Sequence, residues 1–117
     1  MKILQPSGLL LKISDPPKAL YCYGNTSLLS NPSVTIVGTR SITKYGIQVL
    51  DIFLSSFLKE LGIVVVSGLA RGVDSYVHRK CLEKSISTIA VVPGGIDTAI
   101  PSSSRAICKE MLKNNLV

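Results

Sequence analysis

From Val34 onward the chain repeats one pattern three times: a short continuous apolar run, a glycine-containing turn, then a segment of helical periodicity. The runs are Val34-Thr35-Ile36-Val37, Ile63-Val64-Val65-Val66 and Thr88-Ile89-Ala90-Val91-Val92. They are rich in β-branched residues and lack polar alternation, as strands covered on both faces do. Strand, helix and strand in that order make βαβ units, so an α/β fold with a parallel sheet is expected. Between the first two runs, Leu50, Phe53, Leu54, Phe57, Leu58 and Leu61 recur at helical spacing, and Gly62 stands where a left-handed C-cap belongs. A second helix is expected from Asp74 as N-cap, turning Val77, Cys81 and Leu82 inward. A third is expected from Ser102 or Ser103, using Ile107, Met111 and Leu112.

The first third reads differently. Pro6, Pro16, Pro17 and Pro32 punctuate it, and Asp15-Pro16-Pro17 must be extended, because each proline fixes its own φ and restricts its predecessor. Leu20-Tyr21-Cys22-Tyr23 suits a short strand and Gly24-Asn25 a turn. Residues 1–33 are therefore expected to form a lead-in arm packing on a domain of residues 34–117. With 117 residues, 46% of them apolar, the chain can build one core and no more. Thirteen Lys and Arg against 7 Asp and Glu give a formal charge of +6, which favours an anionic partner. Cys22, Cys81 and Cys108 are odd in number and widely spaced, so neither a disulfide framework nor a metal site is encoded. No apolar run approaches a membrane span and no signal peptide opens the chain, so a cytoplasmic protein without membrane partners is expected.

In an open parallel sheet, ligands collect beyond the carboxyl ends of the strands. The turns expected there are Gly38-Thr39-Arg40-Ser41, Ser67-Gly68-Leu69-Ala70-Arg71-Gly72 and Pro93-Gly94-Gly95-Ile96-Asp97. Glycines let a backbone approach an anion closely, and Arg40 and Arg71 add permanently charged donors, so the turns describe a phosphate cradle. Neither G-x-x-x-x-G-K-[ST] nor G-x-G-x-x-G follows a strand, which excludes the standard nucleotide enzymes. His78, one turn after Asp74, could form an acid–base pair with it, but a packing role is the plainer expectation. Ser67 is no nucleophile elbow, since Val65 occupies the position of the required glycine; its hydroxyl is expected to donate to a phosphate. Tyr45 and Tyr76 are candidates for base stacking, although aromatics at 5% cannot build an extended platform.

Four ordered motifs resemble the DNA-processing protein A family. They are Ile13-Ser14-Asp15-Pro16-Pro17 with Leu20-Tyr21 and Gly24, Val37-Gly38-Thr39-Arg40 with Thr43, Tyr45 and Gly46, Ser67 to Asp74 with His78, and Thr88 to Val92 with Pro101. The resemblance implies a Rossmann-like three-layer parallel sheet with helices on both faces, binding single-stranded DNA through its phosphates and handing it to the RecA recombinase during DNA uptake. It implies no catalytic step and no cofactor. By that resemblance Arg40 and Arg71 match the DNA-contacting basic positions, Gly38, Thr39, Ser67, Gly68 and Gly72 shape the pocket with Gly94 and Gly95, and Lys44, Asp74 and His78 support it. The third turn departs from the family pattern, with Pro93-Gly94-Gly95 for Gly-Cys-Gly and Ile100 for Tyr. The resemblance ends at Val117, before the remaining strands, the Arg-Asn-Arg motif and the surfaces for RecA contact and homodimer formation. A domain truncated on its C-terminal side, with an exposed sheet edge, is therefore expected.

A reading from another class competes. Pro93-Gly94-Gly95-Ile96-Asp97-Thr98 is similar to the P-G-G-x-G-T-x-x-E motif of nucleoside-monophosphate phosphoribohydrolases of the lysine-decarboxylase-like family. Asp97 replaces its last glycine and Pro101 its glutamate, which removes the carboxylate such hydrolysis needs. A nucleotide sensor using the same cradle is a further alternative, and a structural relic another.

Overall fold

A computed structural model describes residues 1–117. An antiparallel pair, β1 (Lys2–Leu4) and β2 (Leu20–Cys22), precedes a parallel sheet of β3 (Ser33–Thr35), β4 (Val64–Ser67) and β5 (Thr88–Ala90) in the order β3-β4-β5. Between β3 and β4 run α1 (Lys44–Phe53) and α2 (Ser56–Glu60), between β4 and β5 runs α3 (Val73–Glu83), and α4 (Arg105–Met111) follows β5. Single 3₁₀ turns occupy Gly8–Lys12, Thr26–Ser30 and Ser102–Ser104. None of the helices is long and apolar enough to cross a membrane.

The sheet order never reverses, so right-handed crossovers place their helices on the same face. Alternation along the strands bears this out. Val65 joins Leu50, Leu54, Leu58, Val77, Cys81 and Ile86 of the crossovers in one cluster, and Ala90 joins Ile107, Cys108 and Met111 of α4 in a second. Val64 and Ile89, pointing the other way, pack with Cys22, Leu28 and Leu116. The three-layer parallel arrangement is as expected, but the α-helices form one layer only; the second face, where helices were also expected, is covered by β2 and the 3₁₀ turn at Thr26–Ser30, because a sheet order that never reverses keeps the crossovers on one side. Leu54, Leu58 and Met111 are completely buried, each side chain contributing roughly 1.5–3 kcal/mol of transfer free energy.

Several boundaries differ from the sequence expectation. The first long helix is broken at Leu54 and Ser55, and α2 restarts with Ser55 in extended N-cap geometry. Only Leu50, Leu54 and Leu58 of its apolar series are buried, while Phe53, Phe57 and Leu61 face outward. Gly62 does take a left-handed conformation, φ +66°. α3 begins at Val73 with Gly72 as N-cap, because Gly72 has φ +81° and ψ −126° and ends the preceding turn; Asp74 lies inside the first turn. Residues 102–104 are 3₁₀ and α4 starts at Arg105, with Leu112 exposed. β3 is not covered on both faces: Ser33 and Thr35 are exposed, because β3 is the edge strand.

The opposite edge is closed by the chain's last residues. Ala90 N–H donates to the Leu116 carbonyl at 2.9 Å, while Val117 and Tyr23 exchange two bonds of 2.9 Å. The tail therefore runs parallel to β5 and antiparallel to residues 23–25, joining the two sheets. Gly24, at φ +108°, is pressed against the Asn115 carbonyl, which leaves no room for a side chain.

Candidate nucleic-acid interface

Two turns leave the carboxyl ends of the adjacent strands β3 and β4, and they interlock. Val73 N–H, the first of α3, donates to the Thr39 carbonyl at 3.0 Å. Gly72 lies directly on the backbone of Thr39 and Arg40, where a Cβ would come within 2.6 Å of the Arg40 oxygen. Gly38 lies on Val73 in turn, with only 2.8 Å between an added Cβ and Cγ2. Thr39 Oγ1 accepts from Ser41 N–H at 3.1 Å and Thr43 Oγ1 from Gly46 N–H at 3.0 Å, which fixes the first turn and caps α1.

None of the backbone N–H groups of residues 37–40 or 68–72 donates to an acceptor within the chain. Such donors need water or a ligand, and successive N–H groups in a turn form an anion-binding concavity. Arg40, Arg71 and Lys44, the last at the first position of α1, are exposed and form no ion pair. Two interlocked turns thus present unsatisfied N–H groups beside unpaired cations. These backbone donors were the part of the site that no residue type announced.

The remaining expected residues are placed unevenly. Ser67 is 1% exposed and its hydroxyl has no partner, so it lies beneath the surface rather than against a phosphate. Asp74 is buried under Gly68; its Oδ1 has no hydrogen-bond partner, and its charge faces the positive end of α3. Gly94 and Gly95 have ordinary contacts with Ala99 and Thr98 of their own loop and are not drawn into the two-turn cluster. Tyr45 is 74% exposed. Tyr76 instead donates to Asp51 Oδ1 at 2.5 Å with Lys80 over its ring, and the Asp51 hydrogen bond raises its pKa.

His78 is completely buried beneath the second turn, Nε2 lying 2.7 Å from the Gly68 carbonyl and Nδ1 2.7 Å from Thr88 Oγ1. It makes no hydrogen bond to Asp74. Thr88, hidden within an apolar strand, went unrecognised as its partner. Burial pushes the imidazole pKa below 6.5, with the Gly68 carbonyl and the Asp74 charge opposing this in part. An unfolded chain therefore takes up the proton at higher pH than the folded one. The stability this residue contributes is present above about pH 6.5 and is lost as the pH falls through the folded value, with a slope of at most about 1.4 kcal/mol per pH unit. Urea midpoints at pH 7.5 and 5.0 are expected to fall further in acid for the wild type than for His78→Gln; equal decrements would contradict the assignment.

A parallel sheet with helical crossovers and donor-rich turns at its carboxyl end defines a Rossmann-like α/β domain. Within that class, the family model described as DNA recombination-mediator protein A matches residues 5–117, and the chain belongs to that family. It is 34% identical over 108 residues to DNA processing protein DprA of Streptococcus pneumoniae and 36% identical over 109 residues to that of Bacillus subtilis, in each case over 92% of this chain. It spans 38% and 36% of the lengths of those two relatives. The X-ray structure of the S. pneumoniae protein superposes with a TM-score of 0.83 at 33% identity, covering 92% of this chain and 38% of that one. A structure of DNA processing protein A from Helicobacter pylori, described for its unique single-stranded DNA binding mode, gives 0.79 at 34% identity, covering 98% of this chain and 54% of that one.

Proposed function

We propose that this chain binds single-stranded DNA without sequence preference, holding its phosphates on the interlocked turns after β3 and β4. The observation that carries this reading is the set of unsatisfied N–H groups of residues 37–40 and 68–72, flanked by the unpaired Arg40 and Arg71. Gly38, Thr39, Gly68 and Gly72 shape the backbone and Lys44 adds charge, while Ser67, Asp74 and His78 act from below. Gly94 and Gly95 lie in the neighbouring turn after β5, outside the two-turn cluster. Residues 1–33 serve as a structural arm on the domain of residues 34–117. The role is non-enzymatic: His78, the residue suited to acid–base chemistry, has both ring nitrogens engaged inside the fold. The binding description of the H. pylori relative and the family's description as recombination mediators support this reading. Presentation of the strand to RecA, self-association and a cytoplasmic place in DNA uptake complete the proposal.

Fluorescence anisotropy with a labelled oligonucleotide and its duplex tests it. Single strands are expected to bind more tightly, with log affinity falling against log salt at a slope near −2, about −0.7 for each of the three cations. Preference for the duplex, or indifference to salt, contradicts the proposal.

A further inference from the structure

The Gly68 carbonyl points into the protein, 2.7 Å from Nε2 of a fully buried histidine. A carbonyl can only accept, so Nε2 carries the proton and Nδ1 is left as an acceptor. Thr88 Oγ1 stands 2.7 Å from Nδ1, and its hydroxyl also has the Val65 carbonyl at 2.9 Å. With neutral His78 the hydroxyl proton goes to Nδ1, which locks the tautomer. The peptide between Gly68 and Leu69 is trans and planar, so its N–H is directed opposite to its C=O. Leu69 N–H consequently faces away from the imidazole, and it has no acceptor in the chain. Leu69's side chain, 3% exposed, is anchored in the α4 cluster and prevents the turn from rolling over.

We infer that His78 is a positioning residue of the anion-binding turn: by holding the Gly68 carbonyl inward through Nε2–H, it fixes the Leu69 N–H outward, toward the bound strand. This rests on the phosphate-binding reading above and names the part of the turn that is set from beneath. The groups facing His78 are Asp74 and the Cys81 thiol that reaches Thr88, both on its own helix, the Ser67 backbone at the end of β4, the Gly68 carbonyl of the turn that follows, and the Thr88 hydroxyl from β5. Burial raises the Cys81 pKa to about 12, so the thiol stays neutral at physiological pH. The positioning bond needs only neutral His78, so binding is expected to stay level between pH 7 and 8.5, whereas a charge contact by His78 would make it fall.

Two substitutions and one ligand-free spectrum test the inference. His78→Leu keeps much of the side-chain bulk and removes the donor; His78→Gln can place an amide N–H near the Nε2 position. Single-stranded DNA affinity is expected to drop about tenfold in His78→Leu with the salt slope unchanged, because no cation is lost, and to recover largely in His78→Gln. Long-range ¹H–¹⁵N correlation on the free wild-type protein is expected to show the Nε2–H tautomer at pH 7. The Nδ1–H tautomer overturns the inference whether or not DNA binds, and so does a folded His78→Leu that binds like the wild type. If His78→Leu does not fold, the tautomer and the affinity of His78→Gln decide, and a folded His78→Gln that fails to bind overturns the inference. A wild type that shows the Nε2–H tautomer but ignores single strands removes the phosphate-binding reading and, with it, the purpose assigned to His78.

Discussion

Replacing Arg40 and Arg71 together with alanine is expected to lower the affinity for single-stranded DNA by about a hundredfold and to leave the fold intact. A hydrogen bond to a charged group is worth roughly 1.5–3 kcal/mol, and these exposed guanidiniums belong at the lower end. Two such losses amount to about 3 kcal/mol, and every 1.4 kcal/mol is a factor of ten. Each lost phosphate contact also reduces the salt slope by about 0.7, so the double variant shows a slope shallower by about 1.4. Neither arginine has an ion-pair partner in the chain, so the urea midpoint should move little. Lys59→Ala, an exposed cation on α2, is the control for net charge and should change affinity slightly. Anisotropy titrations at several salt concentrations decide: if the double variant matches the control in both affinity and slope, the strand does not lie on these turns.

The contrast between what the chain discloses and what it conceals follows from the range of each interaction. β4 and β5 were readable because runs such as Ile63-Val64-Val65-Val66 carry their burial in their own residues. Gly62 was readable because a left-handed cap depends on one residue's φ. The tail was not. Asn115-Leu116-Val117 has two apolar residues, and its partners are Thr88 to Ala90 and Tyr23 to Asn25, far away along the chain. The break in the first helix was hidden for a related reason. Phe53, Phe57 and Leu61 extend the apolar period, yet the sheet meets only the stripe of Leu50, Leu54 and Leu58. In the site, Arg40 and Arg71 announced themselves by residue type, whereas the donors beside them are backbone and are visible only once hydrogen bonds are traced. Asp74 looked like a cap because its type suits one; the cap fell to Gly72 because the chain must pass under the first turn there, in a conformation closed to other residues.

That crossing sets up the second large effect, at Gly72. The combination of φ +81° and ψ −126° lies outside the regions open to residues with a Cβ, and strain of this kind costs on the order of 1–3 kcal/mol. A Cβ would in addition lie 2.5 Å from the Arg40 carbonyl carbon, against backbone rather than the yielding end of a side chain. Gly72→Ala is therefore expected to destabilise the fold by about 3 kcal/mol or more in urea unfolding, a large share of the 5–15 kcal/mol typical of a domain. Gly94→Ala, whose Cβ would meet Ala99 at an ordinary 3.4 Å, should stay within about 0.5 kcal/mol of the wild type. Binding by Gly72→Ala should fall as well. Relief of the clash pushes the first turn off the second, parting Arg40 from the N–H groups of residues 68–72, so folded Gly72→Ala should bind single strands at least tenfold more weakly. If it unfolds at the wild-type midpoint, the close crossing is wrong. If it loses stability but keeps full affinity, the two turns act as separate sites and the strand does not need them joined.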